Sequence, residues 1–250
     1  MKPDTASRIL RNLKRLRTLF HDRLVPQAAL EELRAMRVSY SQFGEDLVLR
    51  NHFAELDNAN GRFIDVGAFH PFRLSNTKLL SSLGWRGVNI DCDPDKVARF
   101  QKLRPRDHNI CAAVSATAQE MVWLQYPEST TDRLVTQSET ELLSACGEKP
   151  LKTTPVKALP LTQILEASPF RRNHFHYLNI DCEGHDLAVL QGLDFRRYEP
   201  DLITVEALSE TARTELTDFL KPLSYRLTDI VGLTLFFKNT AAENFTDAPK

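Results

Sequence analysis

GRFIDVGAFHPFRLSNTKLLSSLGWRGVNID, residues 61–91, reads as a strand, a tight turn, a helix and a second strand that ends in a carboxylate. Phe63, Ile64 and Val66 make a short apolar run around Asp65. Gly67 follows, and there a residue without a Cβ lets the chain turn sharply and a ligand approach the backbone. Residues 88–90 form the second apolar run, and Asp91 closes it twenty-six positions after Asp65. That spacing suits a βαβ unit whose second strand carries an acidic residue to the two hydroxyls of a ribose. The chain is therefore expected to be an α/β protein organised around this ligand-binding half.

The glycine pattern narrows the ligand. A dinucleotide turn needs G-x-G-x-x-G so that a pyrophosphate can rest on the helix N-terminus, whereas Phe69 and Phe72 occupy the corresponding positions here. Bulky side chains there disfavour a nicotinamide-dependent oxidoreductase and suit a ligand without phosphates, such as S-adenosylmethionine. A D-x-G turn in a sheet that binds nothing stays open as the alternative.

HYLNIDCEGHDLAVLQG, residues 176–192, is the second informative stretch. A strand at 177–180 delivers Asp181, Glu183 and His185 to a turn containing Gly184, before a helix at 186–191. A further strand at 202–205 ends in Glu206. Ligands of open α/β sheets lie outside the carboxyl ends of the strands, so Asp65, Asp91 and Asp181 are expected to converge there, which points to an enzyme. Simple capping of the next helix by Asp181 and Glu183 is the competing reading. Asp181, Glu183 and Glu206 also offer hard oxygen ligands for Mg²⁺, but a site without metal is favoured and no metal ligand is assigned.

The remaining chain frames these motifs. With 42% hydrophobic and 26% charged residues over 250 positions, one globular domain with an appendage is expected. Residues 1–38 are a basic helical extension: Ile9, Leu13, Leu16, Phe20 and Leu24 fall on one face of a helix rich in Arg, suited to packing on its own or a second subunit, or to an anionic membrane surface. Beyond residue 24 there are 25 basic and 31 acidic residues, without the basic excess of a nucleic-acid enzyme. Cys92, Cys111, Cys146 and Cys182 lack C-x-x-C spacing and no leader pattern precedes them, so reduced thiols in a cytoplasmic protein are expected. SQFGEDLVLRNHF, residues 41–53, predicts a helix starting near Gly44 with Glu45 and Asp46 favouring its N-terminus. Asp93 and Pro94 open a helix to Leu103, and 109–114 predicts a strand whose small residues leave room for a flat ring such as adenine. Residues 115–175 are read as an insertion beside the substrate, with strands at 121–126 and 156–159, an exposed loop at 127–140 and a helix at 161–167. A helix at 209–219, two β-runs in 225–238 separated by 229–232, and a polar tail at 239–250 complete the reading.

SQFGEDLVL at 41–49, FIDVGAFHPFRLSNT at 63–77, GWRGVNIDCDP at 84–94 and YLNIDCEGHDLAVLQG at 177–192 together resemble the FkbM-type family of S-adenosylmethionine-dependent methyltransferases. The resemblance covers residues 41–238. It implies a Rossmann-like class I methyltransferase fold over 39–238, with a mostly parallel seven-stranded sheet, one antiparallel strand near its edge, helices on both faces and the inserted β/loop segment. Asp65, Gly67 and Ala68 would form the turn beside the methionine part of S-adenosylmethionine, Asp91 would take the ribose hydroxyls, and Asp181 would stand near the transferred methyl group. Cys92 replaces a frequent proline, and Phe69 a small or polar residue. The implied activity is O-methylation of a sugar, glycan or glycosylated natural product, with a small-molecule or glycan acceptor as partner. His70 and His185 are the candidate bases for the hydroxyl proton, because imidazole titrates near neutral pH. A non-catalytic cofactor-binding module tethered by the basic helix is the alternative. Asp91 is expected to serve the ligand and not the core.

Overall fold

A computed structural model describes Glu32 and residues 35–241, except Ser129 and Glu148. The chain divides into two units, 1–38 and 39–250. The basic amphipathic pattern before residue 25 and the tail beyond 241 lie outside the described residues. In order, the second unit contains α1 (Glu45–His52), β1 (Arg62–Val66), α2 (Lys78–Leu83), β2 (Arg86–Asp91), α3 (Pro94–Leu103), β3 (His108–Cys111) and β4 (Ala113–Val114). Then come β5 (Gln119–Gln125), β6 (Arg133–Val135), α4 (Gln137–Ala145), β7 (Lys152–Leu159), α5 (Leu161–Glu166) and β8 (Tyr177–Ile180). The last elements are α6 (Asp186–Gln191), β9 (Leu202–Glu206), α7 (Glu210–Leu220), β10 (Tyr225–Val231) and β11 (Thr234–Asn239).

A seven-stranded sheet has the order β10-β11-β9-β8-β1-β2-β3. The five strands from β9 to β3 are mutually parallel, β11 runs against β9, and β10 runs against β11. The central strands are near-continuous apolar runs because both of their faces are covered. Ile64, Val66, Val88, Ile90, Leu178, Ile180, Ile203 and Val205 belong to one core cluster. Phe63, Tyr177, Leu202 and Phe236 belong to another, with Leu49, Phe53, Leu80 and Trp85. The division follows the period of two along a strand.

On the second face the apolar row gives way, toward the carboxyl ends, to a polar row in register across five strands: Asn109, Asn89, Asp65, Asn179 and Thr204. Three bonds link neighbours in the row, while Asn89 Oδ1 has no partner among the described residues. Asn89 Nδ2 donates to Asn109 Oδ1 (2.7 Å), Asn179 Nδ2 to Asp65 Oδ1 (2.9 Å) and Thr204 Oγ1 to Asn179 Oδ1 (2.8 Å). Buried polar groups persist only when paired in this way.

Three sequence expectations are corrected. The strand expected at 109–114 is two strands in two sheets: β3 ends where Asp91, the last residue of its partner, accepts from Ala112 N, and Ser115 N then donates to Leu159 O. β4 joins a four-stranded sheet of order β4-β7-β5-β6. The loop expected at 127–140 contains β6 and the start of α4, where Thr136 and Glu139 form a reciprocal capping box that a Ser/Thr-rich composition disguises. The separation expected at 229–232 is narrower, since 229–231 remain in β10.

The turn after β1 is tied down on both sides. Gly67 N and Ala68 N both donate to Ile90 O (3.0 and 3.1 Å), and Asp181 N donates to Val66 O (3.0 Å). Gly67 has φ +74°, and a Cβ on it would fall 1.8 Å from the Asp181 carbonyl oxygen. Gly67→Ala is therefore expected to destabilise the protein by roughly 3 kcal/mol, from backbone strain plus overpacking, in a urea titration. A variant as stable as the parent would contradict this close approach.

Candidate active site

A cleft of about 900 Å³, part of it open to solvent, lies beyond the carboxyl ends of β1, β2, β8 and β9. Gly67 and Phe69 enter it from the turn after β1, Asp91 from the end of β2, and Asp181, Glu183 and His185 from the turn after β8. Glu206 enters from the end of β9. Ile90, Ala112, Ala113, Val114 and Leu134 make an apolar slot beside Asp91.

Asp91 reaches the cleft but is not reserved for a ligand. Its Oδ2 accepts from Phe69 N and its Oδ1 from Asp93 N, both at 2.9 Å. The carboxylate thus holds two turns in place, which corrects its assignment to the ligand alone. Each oxygen keeps a lone pair for a further donor. Burial raises its pKa, and the Lys96 charge opposes that rise.

Phe69 is held at φ +54°, a left-handed conformation uncommon for a bulky residue. Its ring is flanked by the Lys96 ammonium (5.0 Å to the ring centre) and the Arg73 guanidinium (5.4 Å). Lys96, almost fully buried, also pairs with Asp132 at 3.7 Å. Asp132 belongs to the loop between β5 and β6, and together with Arg133 and Leu134 it lines the cleft. The inserted sheet is therefore a wall of the site.

Asp181, Glu183 and Glu206 bring one carboxylate oxygen each to within 4.8 Å of one another. Burial raises all three pKa values, and the neighbouring carboxylates add to it: Asp181 lies well above the usual range, and Glu183 and Glu206 are each pushed up to about 7. Asp181 and Glu206 are close enough to share a proton, and Lys96 and Arg133 partly offset the charge of Glu183. Glu183 is itself left-handed, at φ +52°. Non-glycine strain of this kind concentrates at functional sites. The trio is a donor set of the kind that holds Mg²⁺.

The other sequence-selected residues are distributed unevenly. His185 lines the cleft, its Nε2 3.1 Å from Ser115 Oγ, and burial lowers its pKa. His70 is not among the lining residues; its Nδ1 accepts from the backbone of Phe72 and Arg73 (3.2 and 3.1 Å). Ala68 is buried beside the cleft and contributes its backbone to the turn. Asp65 also stands outside the lining, since Thr77 Oγ1 (2.6 Å) and Asn179 Nδ2 (2.9 Å) occupy its carboxylate. Gln42, Leu74, Lys96, Asp132 and Arg133 line the cleft without having been selected. They come from loops, a helix and the start of β6, whose place in space the local sequence does not reveal.

Residues 65–227 match the family model described as the methyltransferase FkbM domain. The chain belongs to the FkbM methyltransferase family. No curated protein matches it. The segment characteristic of the FkbM methyltransferases begins at Asp65 and ends within β10, so it contains the β1 turn, Asp91, the inserted sheet and the carboxylate trio. Among the described residues no helix is long and apolar enough to cross a membrane.

The carboxylates give this methyltransferase a pH-dependent stability. Glu183 and Glu206 titrate near 7 when folded, against an ordinary 4.5, so the folded state binds protons more tightly than the unfolded chain. Their contribution is full below about pH 4.5 and is lost as pH rises through about 7. The Tm of the ligand-free protein is expected to fall between about pH 5 and about pH 8, and Asp181→Asn should flatten that fall by removing one buried charge. A Tm that rises over this interval in differential scanning calorimetry would show that the trio is not desolvated as described.

Proposed function

We propose that this methyltransferase transfers a methyl group from S-adenosylmethionine to a hydroxyl oxygen of a sugar, glycan or glycosylated natural product, on a Rossmann-like class I scaffold. The observation that carries the reading is that the Gly67 turn, Asp91 and the carboxylates ending β8 and β9 face one cleft. The residues present fit the cofactor. Asp91 keeps lone pairs for the ribose hydroxyls, Ala112 and Ala113 leave width for adenine between apolar walls, and the acidic trio favours a positively charged sulfur. When bound, S-adenosylmethionine supplies a methyl group on a sulfonium, an excellent leaving group. The chain's task is to align the acceptor oxygen, exclude water and take the hydroxyl proton.

Glu183 is the base we assign. A carboxylate with a pKa of about 7 that lines the cleft combines the ionised form at neutral pH with useful proton affinity. His185 Nε2 is the competing acceptor; His70, engaged with its own loop, is not assigned. Asp181 and Glu206 hold the electrostatic field around Glu183. A site without metal is preferred because a shared proton and the nearby cations already offset the trio. Excess Mg²⁺ should accordingly leave Tm and turnover unchanged, whereas a rise in either would give the trio to a metal. A cytoplasmic location accords with the four free thiols.

Calorimetry with S-adenosylhomocysteine is the first test. The full chain should bind it, and Asp91→Ala should weaken binding by at least about tenfold, equivalent to about 1.4 kcal/mol. Absence of binding by the parent would refute the reading, while binding without transfer to any hydroxyl acceptor would favour a non-catalytic module.

Turnover should rise with pH to a plateau with a midpoint near 7, and Glu183→Gln should lower kcat by roughly 10²- to 10⁴-fold with cofactor affinity nearly intact. If Glu183→Gln keeps the profile and His185→Gln abolishes it, the base is the histidine.

A further inference from the structure

The SQFGED stretch, residues 41–46, precedes the matched family segment and does more than start α1. The two acidic side chains reach back over the loop before the helix. Asp46, fully buried, accepts from Ser39 Oγ (2.6 Å), Tyr40 N (2.7 Å) and Ser41 Oγ (3.0 Å). Glu45 accepts from Phe43 N (2.7 Å) through one oxygen and from Thr234 Oγ1 (3.3 Å) through the other. Tyr40 O accepts from Ser75 N (3.0 Å), and the Phe43 ring lies so close over Gly232 that a Cβ there would come within 2.2 Å of it. Five neighbours thus fix a loop whose own residue Gln42 is exposed yet lines the cleft. A loop held this firmly around one solvent-facing amide is a platform for that amide.

Its position in the sheet says which part of the cleft it serves. Thr234, which holds Glu45, is paired in register with Glu206 at the end of β9, and Ala207 N donates to Leu233 O beside it. Gln42 therefore stands on the β9 side, with Leu74, while Asp91 stands on the β2 side, beyond β8 and β1. Once the ribose is assigned to Asp91, the β9 side is left for the acceptor. Glu206 Oε2 is buried there, and among the described residues the one hydrogen bond of its carboxylate is through the proton it can share with Asp181.

We propose that Gln42 is an acceptor-binding residue, and that Gln42 and Glu206 together grip two hydroxyls of a neutral, polyhydroxylated acceptor. The inference rests on the methyl-transfer reading above and deepens it. A primary amide both donates to and accepts from a hydroxyl, and the Glu206 carboxylate, with lone pairs beyond the one that meets Asp181, accepts from a second. Buried partners left unpaired by an analogue that lacks the hydroxyl are a strong source of selectivity. The charge that remains on the carboxylates beside them disfavours an anionic acceptor, such as a uronic acid or a phosphorylated sugar, relative to a neutral one.

The test uses the full chain, S-adenosylmethionine as donor, and a panel of neutral methyl hexosides, hexuronic acids and hexose phosphates, with S-adenosylhomocysteine affinity measured for every variant. Neutral hexosides are expected to be methylated in preference to the two anionic classes. Gln42→Ala and the near-isosteric Gln42→Glu should each raise KM for the accepted hexoside by about tenfold or more, with kcat less affected. Affinity for S-adenosylhomocysteine should stay within about twofold of the parent, since Gln42 is assigned away from the cofactor. An unchanged KM, a matching loss of S-adenosylhomocysteine affinity, or a preference for the anionic sugars would each overturn the inference. So would a parent enzyme that binds S-adenosylhomocysteine but methylates none of the neutral hexosides. A parent that binds no S-adenosylhomocysteine would instead overturn the methyl-transfer reading, and this inference with it.

Discussion

The carbonyl oxygen of Asp181 occupies the space that any side chain on residue 67 would need. This contact brings the turn after β1 against the end of β8, and the register Val66↔Ile180 carries the same constraint into the sheet. With Gly67 and Ala68 also bonded to Ile90 O, three strand ends meet over one short turn. Asp91, on the β2 side, and the carboxylates of β8 and β9 then open onto the same space. The cleft is in this sense a consequence of how closely two backbones approach. Glycine is required here twice over, by the positive φ and by the absence of room.

Below the cleft, the polar row from Asn109 to Thr204 does structural work that apolar residues could not do. Asp65 sits at its centre, and burial raises its pKa while Thr77, Arg104 and Asn179 oppose the rise. Arg104 Nη1 donates to Thr77 Oγ1 (3.0 Å) and its Nε pairs with Asp107 (2.7 Å), so the end of α3 is tied to the strand row. Asn76 Nδ2 donates to Asn179 Oδ1 (2.9 Å), which anchors the segment that presents Leu74 to the cleft. Replacing one member would strand its partners without water, and such losses cost more than the bond itself contributes. Asp65 is best understood as a positioning residue whose effect reaches the site through Thr77, Asn76 and the Gly67 turn.

The charge pattern of the cleft is the counterpart of that rigidity. Three carboxylates are held closer together than they would choose in water, and Glu183 is held there by a left-handed backbone. Lys96 couples this region to the inserted sheet by pairing with Asp132 and lying over Phe69. The bulky Phe69 has a role as the surface on which Lys96 and Arg73 rest. The insertion is accordingly joined to the Asp91 side of the cleft through a nearly dry ion pair, where attraction is stronger than at a surface.

Local sequence determined the elements whose signals are short-range. Short apolar runs marked β1, β2, β8 and β9, the Asp93-Pro94 pair opened α3 where the Asp93 side chain caps the helix, and carboxylates at strand ends announced a site at one edge of the sheet. The same local reading joined 109–114 into one strand, took the capped start of α4 for loop, and gave Glu45 and Asp46 only a dipole role. Partners elsewhere in the chain decided part of this: Leu159 for the chain after β3, β5 for β6 and Thr234 for Glu45, while the Thr136–Glu139 capping box and the bonds of Asp46 to residues 39–41 are local. Membership of the cleft was decided in the same way. Asp65 and Asp91 look alike in sequence, each a carboxylate in or at the end of an apolar strand. In the folded chain both have the same strand parity, but Asp65 lies one row below, in register with Asn89 and bonded to Asn179 and Thr77, while the last position of β2 leaves Asp91 at the opening. A carboxylate's chemistry is written in its residue type; whether it meets a ligand or a neighbour depends on register and packing, which are set by residues outside its own strand, from 12 positions away for Thr77 to 114 for Asn179 in the case of Asp65.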